Sequence, residues 1–184
     1  MKILEISAAI AGLLQGYLAM LNKRSNWIFY IIQMILMVLF SLSVHLYGDS
    51  VNSLIYVFVG IVGFIIWNKK GEKGITKCSL KERIIYSVVM AIGTYLVCLS
   101  LSKTDDPLPL IDAFTTVSSL IATYYMIIKK IDTWIIWFVN DIFYCITYWL
   151  LPDQALYLFA LNVIWTFMAI GSYLNWKKIM KEGN

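Results

Sequence analysis

Residues 22–33 read NKRSNWIFYIIQ, and residues 129–140 read KKIDTWIIWFVN. Aligned at a constant offset of 107, they pair Lys23 with Lys130, Trp27 with Trp134, Tyr30 with Trp137 and Gln33 with Asn140. The same offset carries Tyr17 to Tyr124 and Glu5 to Asp112. After a two-residue insertion the halves close alike, FIIWNKK against YLNWKK, so Trp67 matches Trp176. Similarity over this length is the repeat of a whole supersecondary unit, and it decides how the rest of the chain is read.

Composition then sets the solvent. Of 184 residues, 60% are hydrophobic and 14% charged, and the mean hydropathy is +0.75. A soluble domain of this size needs far more polar surface, so the chain reads as an all-α integral membrane protein. A hydrocarbon core about 30 Å thick takes about 20 apolar residues in a helix. Seven stretches qualify, at about 3–21, 26–46, 51–68, 84–102, 110–128, 133–151 and 155–176. The first carries Glu5 and Gln15 and lacks a small-residue cleavage site, so it reads as a retained helix.

Spans one to three therefore repeat as spans five to seven. Three crossings would invert the second copy, and span four restores its direction, which predicts a 3+1+3 parallel repeat. Residues 1–70 form the first three-helix unit. Residues 71–105 hold a basic connection and the linker helix, and residues 106–184 form the second unit. Parallel repeats of this kind are a transporter device, with substrate held where the repeats meet near mid-membrane; a duplicated scaffold without a substrate is the alternative.

The basic residues orient the bundle. Lys23 and Arg24, the run from Lys69 to Arg83, Lys129 and Lys130, and Lys177, Lys178 and Lys181 all fall on one side. Of the 15 basic residues only Lys2 and Lys103 fall on the other, with the acidic connections GDS, KTDDPLP and PDQ. This asymmetry places the N-terminus outside and the C-terminus in the cytoplasm of a multi-pass cell-membrane protein. It also explains the net charge of +4 by the bilayer rather than by nucleic acid.

Several chemistries are excluded. Three scattered cysteines and a lone His45 offer no disulfide framework and no zinc spacing. There is no P-loop, no Ser/His/Asp set and no His cluster. The chain is expected to need no cofactor and no metal, and not to be an enzyme.

Span six holds the candidate site. In TWIIWFVNDIFY (133–144), Asn140 and Asp141 interrupt an apolar run. A carboxylate at a helix centre in lipid costs roughly 2.5–3.5 kcal/mol, so it faces a wet cavity or a partner. Trp134, Trp137, Asp141, Tyr144 and Tyr148 recur at spacings of 3, 4, 3 and 4, one seam on the helix. Asp141 lies about 11 Å in from the cytoplasmic end at 1.5 Å per residue. Trp134 and Tyr148 approach the interfaces and serve equally as belt residues. Trp137 and Tyr144 are either a binding wall or helix packing, and a structural hydrogen bond competes for Asp141. A carboxylate flanked by aromatic rings suits a flat cationic ring, and it also accepts hydrogen bonds from sugar hydroxyls. The first half adds Tyr30, Gln33, Asn52 and Tyr56 as polar contacts. Glu5 and Asp112, repeat mates near the outer mouth, either attract a cationic ligand or are ordinary interface charges.

These pieces resemble the PnuC family of nicotinamide riboside transporters along essentially the whole chain. The resemblance rests on NWIFYIIQ, on LYGDSVNSLIYVFVGIVGFIIW with its Gly63-x-x-x-Trp67 ending, and on WIIWFVND. It implies a fold related to the SWEET sugar carriers. It places the family's Trp-x-x-Trp pair on Trp134 and Trp137. The family's Asn, seven residues after the first Trp, falls on Asp141, with Asn140 displaced by one. It further implies facilitated diffusion of nicotinamide riboside for NAD biosynthesis, with trapping inside by phosphorylation. Relatives of the family resemble carriers of thiamine, riboflavin or deoxynucleosides, which are the alternative substrates. A vitamin-binding subunit of a larger transporter is the other reading, and a homo-oligomer is compatible with the sequence.

Overall fold

The computed structural model describes residues 2–43, 45, 47–70, 74–150 and 156–182. Among these residues the regular elements are seven helices: α1 Lys2–Met20, α2 Asn26–Ser43, α3 Tyr47–Lys70, α4 Leu80–Leu101, α5 Pro109–Ile127, α6 Thr133–Leu150 and α7 Leu156–Glu182. By length and composition, Asn26–Ser43, Ser50–Lys69, Leu80–Leu101 and Pro109–Ile127 are able to cross a membrane. In α6 the apolar run is broken by Asn140 and Asp141. Large apolar side chains such as Ile3, Phe58, Ile92 and Phe167 are exposed along the helices. In a bilayer those faces meet lipid, whereas small residues let helices approach one another.

The chain divides into two compact units, the first ending at Gly74 and the second running from Ile75 to Glu182. In the first, α2 packs against both α1 and α3. Its core is Trp27, wholly buried and set edge-on to Trp67 with ring centroids 5.8 Å apart. α3 can come this close because residue 63 is glycine: a Cβ there would lie 2.5 Å from two carbons of the Trp27 ring. In the second unit α6 packs against α5 and α7, while α4 packs against α5. Trp134 meets Trp176 edge-on at 5.4 Å.

The turns that open α2 and α6 have the same backbone. Asn22 and Lys129 both adopt the left-handed conformation, at φ 54° and 59°. Each closes a Schellman motif: Lys23 N donates to Leu18 O at 2.9 Å and Asn22 N to Ala19 O at 2.9 Å. In the second unit Lys130 N donates to Tyr125 O at 2.8 Å and Lys129 N to Met126 O at 3.1 Å. The next helices start alike, with Asn26 N to Lys23 O at 3.0 Å and Thr133 N to Lys130 O at 3.1 Å. Asparagine tolerates a left-handed position well and lysine poorly, so the second turn needs outside support, which residues 75–83 supply.

Helix edges differ from hydropathy where polar chemistry takes over. α4 begins before its apolar stretch because Ser79 and Glu82 form a capping box, Ser79 N donating to Glu82 Oε2 and Glu82 N to Ser79 Oγ. α7 continues to Glu182 through a tail of helix-forming residues.

Candidate functional site

The seam expected on α6 resolves into members with different neighbours. Asn140 is wholly buried and faces α5, where Ser118 Oγ lies 2.7 Å from its Oδ1. Thr133, two turns earlier on nearly the same face, donates to Ala122 O at 2.8 Å. These two contacts fix α5 against α6, and Asn140 acts as helix glue. Trp134 is likewise committed to packing, against Trp176 of α7.

Asp141 follows Asn140 by 100° around the helix. Its residue is 7% exposed, and it has neither a hydrogen bond nor an ion pair among the described residues. Trp137 and Tyr144 are half-buried on the same stripe. The Trp137 Nε1 donor is buried with no hydrogen-bond partner among the described residues. Tyr144 stacks on Tyr148 at 6.1 Å and 14°, carrying the aromatic surface toward the end of the helix. A buried donor left unpaired costs about 1–3 kcal/mol, and a lone buried carboxylate costs more. Trp137 and Asp141 are thus a donor and an acceptor without a partner among the described residues, and the Trp27 and Trp134 indole nitrogens are buried in the same state.

In the first unit, Tyr30 is half-buried, edge-on to Trp27 at 5.5 Å and within electrostatic range of Tyr56 on α3. Gln33 turns to α1, where a Cβ on Gly12 would lie 2.8 Å from its Nε2. Tyr30 and Tyr56 are therefore brought together, while Gln33 faces another helix. Asn52 is exposed. The Glu5 side chain lies outside the described residues, and Asp112 is exposed in the first turn of α5, beside Asp106.

Sequence reasoning missed a polar cluster at the start of α4. Asp132 Oδ1 accepts from Arg83 Nε at 2.9 Å, and Lys130 pairs with Glu82 at 2.8 Å. Its one legible signal was Ser79-x-x-Glu82 ahead of an apolar run. Among the described residues no group of His, Cys, Asp and Glu is arranged to hold a metal ion.

Long apolar helices, one of them carrying a buried carboxylate, define the class, a helical membrane protein. Residues 2–178 match the family described as nicotinamide mononucleotide transporter, and the chain belongs to that family. It is similar to the nicotinamide riboside transporter PnuC of Neisseria mucosa, 28% identical over 95% of this chain and 72% of that protein. It also resembles the proteins of the same name from Haemophilus influenzae (25% identical, 98% and 82% covered) and Escherichia coli (21%, 97% and 87%). The crystal structure of the vitamin B3 transporter PnuC superposes with a TM-score of 0.78, at 26% identity over 98% of this chain and 83% of that one. The family resemblance read from the sequence is therefore correct.

Proposed function

We propose that this protein takes up nicotinamide riboside across the cell membrane by facilitated diffusion, phosphorylation inside the cell trapping the substrate. The observation that carries the reading is Asp141, a buried carboxylate without a partner among the described residues, on one stripe with Trp137 and Tyr144. Nicotinamide riboside is a flat pyridinium cation bearing a carboxamide and a ribose. Its charge suits Asp141, its ring suits the aromatic faces, and its oxygens suit the Trp137 Nε1 donor.

The same stripe argues against the mononucleotide. A phosphate adds about −1.5 to −2 charges, and no lysine or arginine lies between Thr133 and Leu150 to meet it. Tyr30, Gln33, Asn52 and Tyr56 are assigned to the ligand path from the first unit, and Glu5 and Asp112 to its outer mouth. The twin turns and the twin Trp–Trp contacts support a 3+1+3 parallel repeat. The partition of basic residues supports an outside N-terminus and a cytoplasmic C-terminus. Alternating access then comes from the two three-helix units.

Calorimetry on the purified protein in detergent tests this. Nicotinamide riboside is expected to bind, nicotinamide mononucleotide to bind at least about tenfold more weakly, and Trp137→Ala to abolish riboside binding. Asp141→Asn keeps the shape and removes the charge, and is expected to weaken binding by at least about tenfold. Binding of thiamine, riboflavin or a deoxynucleoside instead would change the substrate and keep the site. Unchanged riboside binding in both variants would remove the site from α6.

A further inference from the structure

The proposed site leaves unused a bonded cluster in the second unit. Thr76 N donates to Lys129 O at 3.0 Å and Ile131 N donates to Thr76 O at 2.9 Å, one step of parallel β pairing onto the turn before α6. Two residues later Cys78 N donates to Asp132 Oδ2 at 2.8 Å. The other carboxylate oxygen accepts from Arg83, Nε at 2.9 Å and Nη2 at 2.8 Å. Lys130 crosses in the opposite sense, to Glu82 at 2.8 Å and to Lys77 O at 3.4 Å. The first turn of α4 and the turn 129–132 are thus laced by two oppositely directed ion pairs and three backbone amides. Asp132 is 6% exposed, so its backbone bond from Cys78 is shielded from solvent, whereas its Arg83 partner lies largely at the surface.

Further along, Tyr86 of α4 meets Tyr125 of α5 edge-on at 4.3 Å. Gly93 then sits against Val117, close enough that a Cβ would meet its Cγ1 at 3.0 Å. The twin turn in the first unit differs in sequence at the key position. It has Ser25 where the second has Asp132, and its Arg24 bonds instead to Asn68 at the end of α3.

We infer that residues 75–101, strap and linker helix together, are a fixed part of the second unit throughout transport, and that the chain's joint is the backbone at Gly74. The boundary between compact units falls there, and Gly74 holds φ 154°, a value that residues with a Cβ rarely adopt. Two pictures are excluded: a linker helix moving as a third body, and a strap that opens once per cycle. The inference rests on the transport reading.

Two measurements on the full chain separate the inference from that reading. In a protein with Cys78, Cys98 and Cys145 replaced by serine, Thr76→Cys and Lys130→Cys place thiols on the paired positions. Riboside uptake into proteoliposomes is compared with the pair oxidised and reduced. Uptake within about twofold is expected if the strap never opens, and a larger loss restored by reductant overturns the inference. The second readout needs no substrate: maleimide labelling of Cys78 as the sole cysteine. It should be at least about tenfold slower than in the unfolded protein, and Asp132→Ala should accelerate it by about that factor. Labelling as fast as in the unfolded protein also overturns the inference. Absence of riboside uptake in the reduced protein refutes the transport reading instead, and the labelling still decides the strap.

Discussion

Replacing Gly63 with alanine is the severest small change the first unit offers. The added methyl would sit 2.5 Å from Cδ2 and Cε2 of Trp27 and 2.6 Å from Cε3, where carbon contacts need well over 3 Å. The indole has nowhere to retreat, being wholly buried and edge-on to Trp67. Overpacking of this kind costs about 1–3 kcal/mol, and a clash with three atoms of a fixed ring belongs at the top of that range. Alanine recovers up to about 1 kcal/mol in helix propensity, leaving a net loss of about 2 kcal/mol. For a chain of this size that lowers the melting temperature by roughly 4–8 °C. Gly12→Ala is the matched control, because its methyl would meet only the end of the flexible Gln33 side chain, at 2.8 Å from Nε2. The two variants can be melted in detergent and followed by the loss of the monodisperse peak on size exclusion. A Gly63→Ala protein as stable as the parent would refute the wedge between α2 and α3.

Other consequences are as direct. Ser118→Ala leaves the Asn140 amide buried without its partner and should destabilise the second unit by about 1–3 kcal/mol, read by the same melts. Gly12→Ala, though cheap in stability, should move Gln33 and weaken riboside binding in calorimetry if Gln33 lies on the ligand path. Burial pushes the Cys78 thiol above its ordinary value of 9.0. Its alkylation rate should therefore keep rising with pH beyond the range where an exposed thiol levels off, and Asp132→Ala should bring the inflection down. Asp132→Asn removes the charge that grips Arg83 and should lower the melting temperature.

Seven helices were legible from their apolar runs, although among the described residues four of them are long and apolar enough by themselves to cross a membrane. Their ends were less legible: the capping box on Ser79 advances α4, and the charged tail of α7 continues the helix. On α6 the spacing puts Trp134, Trp137, Asp141, Tyr144 and Tyr148 on one stripe, since periodicity specifies a face of the helix. It does not specify what faces each member. Trp134 turns to Trp176, and Asn140 to Ser118, because those choices depend on neighbours supplied by other helices. The strap was invisible for the same reason, Asp132 and Arg83 being 49 residues apart in sequence. Besides Ser79-x-x-Glu82, what marks it in the sequence is Ser25 standing where the second repeat has Asp132.

The buried Trp–Trp pairs have an optical consequence. Of seven tryptophans, Trp27, Trp67, Trp134 and Trp176 are sealed from solvent and locked edge-on in pairs. Their emission is a constant, blue-shifted background that a ligand leaves untouched. Trp149 is exposed and Trp165 lies on α7, whereas Trp137 sits one turn from Asp141 on the same stripe, so quenching on binding should come chiefly from that chromophore. The molecule thus carries its own occupancy signal, and Trp137→Phe would darken it without disturbing the rest of the spectrum.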